Sequence, residues 1–242
     1  MTDLLSTKPI PVQERLIMAL DVPTIDAAKA LVTQLGDHVT FYKVGLELFM
    51  TGDYYDLIEW LNARNKRVFA DLKLFDVPET VARAIRVLSH HGVDFATIHG
   101  NDAIMSAAAA AKGDLKLLAV TVLTSLDQGD LRDLGFECEV SQLVLSRARR
   151  ALEVGCDGVI SSGLEIPDLR REVDHKLLVV SPGIRPVENR ASDDQKRVVT
   201  VDQAFRNGAD YIVVGRPIRD AQDPAAEAAR VQNQIRAVFE GA

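Results

Sequence analysis

The chain has 242 residues, 47% of them hydrophobic, which is enough for one large hydrophobic core. It carries 28 Lys and Arg against 35 Asp and Glu, a formal net charge of −7, and no segment clusters basic residues as nucleic-acid-binding or membrane-binding surfaces do. We therefore expect a single domain over residues 1–242, no nucleic-acid partner, and a local site for any anionic ligand.

The N-terminal stretch and the cysteines indicate the cellular setting. Residues 1–16 lack the basic and long apolar segments of a secretory signal, and no run approaches the roughly 18 apolar residues of a membrane span. Cys138 and Cys156 lie outside any Cys/His cluster, so neither a disulfide framework nor a zinc site is indicated. We expect a cytoplasmic protein without membrane attachment, in which residues 1–14 form an N-terminal extension.

Short apolar segments rich in β-branched residues alternate with helical patterns along the chain. Eight strands are predicted, at residues 15–20, 40–45, 67–72, 94–100, 115–123, 158–163, 176–183 and 210–215. Helical spacing of apolar residues is clearest at residues 25–36, 53–64, 78–92 and 141–155. The alternation predicts an α/β protein with a single (β/α)8 TIM barrel. A doubly wound open sheet is the alternative, and the absence of any G-x-G sequence disfavours it.

Polar residues collect where the predicted strands end. They are Asp21 after the first strand, Lys43 in the second, Asp71 and Lys73 at the third, His99 in the fourth, Thr124 and Ser125 after the fifth, and Gly215 and Arg216 at the eighth. Because the active site of such a barrel lies at the carboxyl ends of its strands, we expect these side chains to meet there. His99 has two equal interpretations, a hydrogen-bonded barrel residue or a catalytic one, and we assign it no role.

The stretch FADLKLFD at residues 69–76 places three charges at the end of a hydrophobic strand. Asp71 and Lys73 are two residues apart and therefore point to the same face, whereas Asp76 can lie nearby or reach a neighbouring subunit. An ion-pair network closing the barrel is the structural alternative. Burying several charges costs several kcal/mol apiece unless each is paired, which favours a chemical role for the cluster.

The residue types in this cluster suit decarboxylation. A lysine between aspartates keeps its ammonium form, so it can stabilise a carbanion and then protonate it. A carboxylate fixed beside a substrate carboxylate repels it, and loss of carbon dioxide relieves the repulsion. The sequence leaves open how much of the rate arises from this repulsion and how much from transition-state stabilisation.

Two arginines in neighbouring loops indicate a phosphate site. Arg216 follows Gly215 after the eighth strand, and Arg185 lies in the loop after the seventh. Barrels often bind phosphate between these loops, where glycine lets backbone amides approach the anion. Residues 183–197 are polar and long for a barrel loop, so we predict a lid on the phosphate side. By default, we interpret Gln195 within this lid as a solvated loop residue.

Six motifs in order resemble those of one enzyme family. They are LDVP at 20–23, YKVGLELF at 42–49, FADLKLFDVPETV at 69–81, VTVLTS at 120–125, SPGIRP at 181–186 and VVGRPI at 213–218. From about residue 15 to residue 235 the sequence resembles the orotidine 5′-phosphate decarboxylase family, which makes UMP in pyrimidine synthesis. The D-x-K-x-x-D element alone is shared with relatives of other activities, but the ordered set is specific.

The resemblance implies a role for each matching residue. Lys73 would donate a proton to C6 of the pyrimidine, and Asp71, Asp76 and Lys43 would complete the charged array. The other implied contacts are Asp21 and Lys43 with ribose hydroxyls, Thr124 or Ser125 with the ring, and Thr80, Arg185, Gln195, Gly215 and Arg216 with the phosphate region. The family is homodimeric, with Asp76 expected to enter the partner's active site, and it needs no metal or organic cofactor.

Two other functions remain as alternatives. Magnesium-dependent sugar-phosphate decarboxylases or aldolases of the same barrel group share D-x-K-x-x-D, but they place a metal-binding glutamate where this chain has Lys43. A barrel that binds a phosphorylated ligand without catalysis is the second alternative. The intact set of Asp71, Lys73 and Asp76 argues against it.

Overall fold

The computed structural model describes residues 4–185 and 198–241, and these form a closed barrel of eight parallel strands. The strands are β1 Leu16–Ala19, β2 Phe41–Gly45, β3 Arg67–Leu74, β4 Phe95–His99, β5 Lys116–Val120, β6 Gly158–Ile160, β7 Leu178–Ser181 and β8 Tyr211–Val214. Each strand pairs with the next along the chain, and β8 closes on β1 through Leu16 and Ile212. The predicted (β/α)8 barrel is confirmed, and the open-sheet alternative was wrong.

Helices connect the strands around the outside of the barrel. The α-helices of the described residues are α1 Ile25–Leu35, α2 Leu46–Phe49, α3 Tyr54–Asn62, α4 Pro78–His90, α5 Asp102–Ala109, α6 Gln128–Asp133, α7 Val140–Glu153, α8 Ile166–Glu172, α9 Val201–Arg206, α10 Arg216–Arg219 and α11 Pro224–Glu240. The four helices predicted from apolar spacing correspond to α1, α3, α4 and α7. Within the described part of the chain, no helix combines the length and the apolar character needed to cross a membrane.

The strands bury both of their faces. In β1, Ile17 packs in the barrel interior while Leu16 faces the helices, as alternation along a strand requires. Aromatic rings fill the middle of the barrel: Phe95 lies edge-on to Phe41, with ring centroids 5.0 Å apart, and to Tyr211 at 5.2 Å. Since the centre is packed, a ligand site has to lie at an end of the barrel.

A glycine-x-aspartate sequence precedes three of the strands, at residues 92–94, 155–157 and 208–210. Each glycine has a positive φ of 70°, 90° or 106°, which lets the chain leave a helix and turn into the strand. Each aspartate accepts a hydrogen bond from an N–H of the preceding strand: Asp94 from Val68, Asp157 from Leu117 and Asp210 from Val179. The repeat thus fixes neighbouring strands at their amino ends.

The N-terminal segment packs at this same amino end of the barrel. Lys8 Nζ lies 3.0 Å from the Asp210 carboxylate, and Ser6 also donates to that carboxylate. Asp210 is fully buried and pairs with Arg170 at 2.8 Å. These contacts cover the end of the barrel opposite the predicted site, which leaves the carboxyl ends of the strands as the open mouth.

Candidate active site

A pocket opens at the carboxyl ends of the strands. Nine of the residues predicted for the site line it: Asp21, Lys43, Asp71, Lys73, Thr124, Ser125, Arg185, Gly215 and Arg216. They come from β2, β3 and the chain that follows β1, β5, β7 and β8. The strand β5 ends at Val120 rather than at the predicted residue 123, because the chain there leaves the sheet to line this pocket.

Four charges form a continuous chain across the mouth. Lys43 Nζ lies 2.9 Å from Asp21 Oδ1 and 3.5 Å from Asp71 Oδ2. Lys73 Nζ lies 2.8 Å from Asp71 Oδ1. The Asp71 carboxylate is therefore held between two ammonium groups, and its side chain is only 11% exposed.

Asp71 and Lys43 are the most buried of these four residues, and each favours the charged form of the other. Burial by itself raises the pKa of Asp71, but Lys43 and Lys73 outweigh it and hold that pKa below its ordinary value. Burial lowers the pKa of Lys43, and here Asp71 and Asp21 outweigh it, so the pKa is raised. At neutral pH Asp71 is therefore a carboxylate and Lys43 an ammonium group, although both side chains are largely buried.

The strand β3 departs from regular geometry where it carries the catalytic candidates. Its pairing with β4 shifts between Ala70 and Leu74, and Lys73 has a φ of 47°, a left-handed conformation rare for residues other than glycine. Thr97 on β4 bridges this irregularity, because its hydroxyl contacts both Asp71 and the Lys73 backbone. Sequence reasoning missed Thr97; the inward face shared with Phe95 could have identified it.

One side of the pocket is apolar. Val120, Val122, Leu123, Ile160 and Pro182 line it along β5, β6 and the loop after β7. Ala19, Phe69 and Val213 add apolar surface from β1, β3 and β8. The pocket thus combines a charged cluster with apolar side chains that offer no hydrogen bonds, an arrangement suited to converting a charged group into a neutral one.

The loops after β7 and β8 bring two arginines to the same pocket. Arg185 follows Gly183, and its backbone N–H donates to Val199 O at 3.0 Å, which ties the two described ends of the 183–197 loop together. Arg216 begins the short helix α10 directly after Gly215. Two guanidinium groups and a glycine backbone at one pocket form an anion-binding arrangement.

Three of the predicted residues are not found in this pocket. Asp76 is exposed just beyond β3, and Thr80 is half-buried in the first turn of α4; neither lines the pocket of its own chain. Gln195 lies outside the described residues, as does most of the predicted lid at residues 183–197.

His99 lies at the end of β4, beside the pocket but not among its lining residues. Its ring packs against Phe75 with centroids 4.7 Å apart. Burial, followed by Arg147 and Lys73, lowers the pKa of His99, so the ring is neutral at physiological pH. The neutral ring thus packs on the segment after β3 and does not line the pocket.

The carboxylates in the mouth are arranged around an ammonium group. Within residues 4–185 and 198–241, no three His, Cys, Asp or Glu side chains cluster closely enough to hold a metal ion. Asp21 and Asp71 both pair with Lys43, so the Lys43 ammonium group occupies the space in which the two carboxylates could otherwise share a metal ion. The donor set therefore suits an internal ion pair rather than a divalent metal.

Known proteins resemble this chain over nearly its whole length. The model of the orotidine 5′-phosphate decarboxylase / HUMPS family matches residues 14–231. Orotidine 5′-phosphate decarboxylase of Methylococcus capsulatus is 74% identical over 99% of both chains. The enzyme of the same name from Xanthomonas euvesicatoria is 50% identical over 96% of both.

A solved structure shares the architecture as well. The crystal structure of orotidine 5′-phosphate decarboxylase from Lactobacillus acidophilus superimposes with a TM-score of 0.82 at 34% identity, covering 92% of this chain and 99% of that one. The similarity therefore extends over most of the barrel. This chain belongs to the orotidine 5′-phosphate decarboxylase / HUMPS family.

Proposed function

We propose that this protein decarboxylates orotidine 5′-monophosphate to UMP and carbon dioxide. The observation that carries the proposal is the Asp71 carboxylate, held in the barrel mouth between the ammonium groups of Lys43 and Lys73. The relatives that are 50% and 74% identical over almost the whole chain are named for this reaction, which adds support. The step places the protein in pyrimidine synthesis, which takes place in the cytoplasm.

At C6 of the pyrimidine, the reaction breaks one bond and forms one. The bond from C6 to the carboxylate carbon breaks, its electron pair remains on C6, and carbon dioxide leaves. The Lys73 ammonium donates a proton to C6, which gives UMP, and the resulting amine regains a proton from solvent. Lys73 suits this role because its side chain is 37% exposed and lines the pocket, so it can reach both substrate and water.

Asp71 contributes through its fixed negative charge. A substrate carboxylate placed near it is repelled, and this repulsion disappears when neutral carbon dioxide forms. The apolar side at Val120, Leu123 and Ile160 offers a carboxylate no hydrogen bonds but accommodates carbon dioxide readily. The ammonium of Lys73, fixed 2.8 Å from Asp71, is already oriented when negative charge develops on C6.

The rest of the nucleotide is held by groups around the pocket. We assign the ribose hydroxyls to Asp21 and Lys43, and the pyrimidine ring to Thr124 or Ser125, since all four line the pocket. The phosphate binds between the loops after β7 and β8. Its proposed contacts are Arg185, Gly215 and Arg216, together with Gln195 from the loop at 183–197 and Thr80.

We further propose a homodimer in which Asp76 enters the partner's pocket. Phe75 and Val77, which flank Asp76 in the chain after β3, are 64% and 63% exposed, and Leu46 and Met50, which follow the neighbouring strand β2, are 60% and 75% exposed. Exposed large apolar side chains after two adjacent strands are the kind of surface that protein interfaces cover. Asp76 lies between Phe75 and Val77 in the chain and outside its own pocket, so a partner packed there brings it into reach of another site.

The position of Lys43 separates this proposal from the magnesium-dependent alternative. Its ammonium lies between Asp21 and Asp71, where a divalent cation would be repelled. The non-catalytic alternative fits less well with the strained backbone at Lys73, since a φ of 47° is costly at a residue that has no catalytic role.

The proposal is tested by incubating chelator-treated protein with orotidine 5′-monophosphate and following the ultraviolet absorbance. We expect loss of the substrate band with release of carbon dioxide and formation of UMP, and no dependence on added magnesium. An unchanged spectrum with protein shown to be folded and dimeric would contradict the proposal. Activity that appears only with magnesium and a sugar phosphate would support the alternative.

A further inference from the structure

Thr97 is a fully buried polar residue in the middle of β4, whose other residues are apolar except for His99 at its end. It lies on the inward face of β4, between Phe95 and His99, with 0% of its surface exposed. It does not line the pocket, so it has no direct contact with a substrate there. A valine has nearly the same shape and would fill this position without a buried hydroxyl, so the hydroxyl itself requires an explanation.

The Thr97 hydroxyl makes two hydrogen bonds, both to the catalytic segment of β3. It donates to Asp71 Oδ1 at 2.9 Å and accepts from the backbone N–H of Lys73 at 3.0 Å. One oxygen atom thus contacts both the carboxylate and the backbone of the proposed proton donor.

These contacts occur where β3 loses its regular pairing with β4. The register shifts between Ala70 and Leu74, and Lys73 adopts a φ of 47° between them. A left-handed lysine persists only where the surroundings hold it. The hydrogen bond from the Lys73 N–H to Thr97 is a contact that holds this conformation.

The same hydroxyl restricts the orientation of the Asp71 carboxylate. Oδ1 receives hydrogen bonds from Thr97 and from Lys73, while Oδ2 faces Lys43 at 3.5 Å. Rotation of the carboxylate would break the contact to Thr97. The hydroxyl therefore keeps Asp71 oriented between its two cations.

We propose that Thr97 is a positioning residue for decarboxylation, whose hydroxyl fixes the Asp71 carboxylate and the backbone of Lys73 relative to each other. This inference rests on the proposed roles of Asp71 and Lys73. Thr97 contributes to the chemical step rather than to substrate binding, because it contacts Asp71 and Lys73 without lining the pocket.

The test compares Thr97→Val with Thr97→Ser and with a matched control, Thr121→Val. Thr121 is also fully buried, and its hydroxyl donates to the Ile160 carbonyl at 2.9 Å rather than to a member of the charged array. Thr97→Val is expected to lower kcat roughly tenfold to hundredfold with little change in KM, as loss of a hydrogen bond to a charged group predicts. Thr97→Ser keeps the hydroxyl and is expected to recover most of that loss.

Thermal unfolding of all three variants separates a positioning role from a general effect on stability. We expect Thr97→Val and Thr121→Val to lose similar stability but only Thr97→Val to lose kcat. Equal kcat in wild type and folded Thr97→Val, equal losses in Thr97→Val and Thr121→Val, or no recovery in Thr97→Ser would each overturn the inference. If wild-type protein does not decarboxylate orotidine 5′-monophosphate, the proposed function itself fails; if wild type is active and Lys73→Ala is inactive, these outcomes overturn only the role of Thr97.

Discussion

Replacing Lys73 with alanine removes the proposed proton donor and leaves the barrel intact. Asp71 retains Lys43 at 3.5 Å and the Thr97 hydroxyl at 2.9 Å, so its carboxylate is not left without partners. Because the Lys73 side chain is 37% exposed, losing its ion pair is expected to cost no more than about 1 kcal/mol of unfolding free energy. The fold is therefore expected to survive the change.

The effect on turnover is expected to be much larger. Loss of a general acid lowers the rate about 100- to 10,000-fold, or about 3–5 kcal/mol of activation free energy. Loss of the ammonium charge beside the developing carbanion adds to this, so Lys73→Ala is expected to fall at the upper end or beyond. Turnover is measured from the ultraviolet absorbance of orotidine 5′-monophosphate, and stability from denaturant unfolding.

Lys112→Ala is the matched control for this variant. Lys112 is also a partly buried lysine paired with one aspartate, Asp157, but it lies at the amino end of the barrel. Its loss is expected to leave kcat unchanged. A Lys73→Ala protein that turns over within tenfold of wild type would refute the proton-donor role, as would an equal loss of turnover in both variants.

Four further results are expected. Arg216→Ala is expected to weaken UMP binding roughly tenfold to hundredfold without weakening uridine binding; equal weakening of both would contradict the phosphate site. Orotidine, which lacks the phosphate, is expected to be turned over more slowly at saturation, because remote binding energy helps assemble the site; equal kcat values would exclude this. Mixing inactive Lys73→Ala and Asp76→Ala subunits is expected to restore about a quarter of wild-type activity, since mixed dimers regain one intact site; no recovery would contradict the shared site. Asp210→Ala is expected to lower the unfolding free energy by about 3–5 kcal/mol by leaving Arg170 buried and unpaired, with kcat unchanged in folded protein; a smaller loss would contradict that pairing.

The sequence predicted the barrel because its signals are local. Each strand is a short apolar run, and α1, α3, α4 and α7 repeat apolar residues at helical spacing. The charges at the strand ends could also be identified in the sequence, since Asp71 and Lys73 interrupt a hydrophobic segment at positions where a core would have apolar residues. Their meeting with Asp21 and Lys43 followed from the barrel geometry alone.

Other features could not be predicted, because they depend on contacts between strands and the residue pattern along one strand does not indicate such contacts. The hydrogen bonds of Thr97 and the left-handed Lys73 arise where β3 and β4 lose register, which no single-strand periodicity indicates. Alternation did place Asp71 and Lys73 on one face, but it gave no sign of that irregularity. The placement of Asp76 and Thr80 outside their own pocket also depends on how the chain turns after β3. The glycine-x-aspartate repeat, by contrast, was readable in the sequence and was overlooked.

The most direct test of the account is to run the reaction in deuterium oxide and examine the UMP by nuclear magnetic resonance. The Lys73 ammonium exchanges its protons with solvent, so the account predicts one deuterium at C6 of the product. It also predicts that Lys73→Ala forms no such product at a comparable rate. UMP carrying protium at C6, or deuterated UMP formed equally fast by Lys73→Ala, would contradict proton delivery from this lysine.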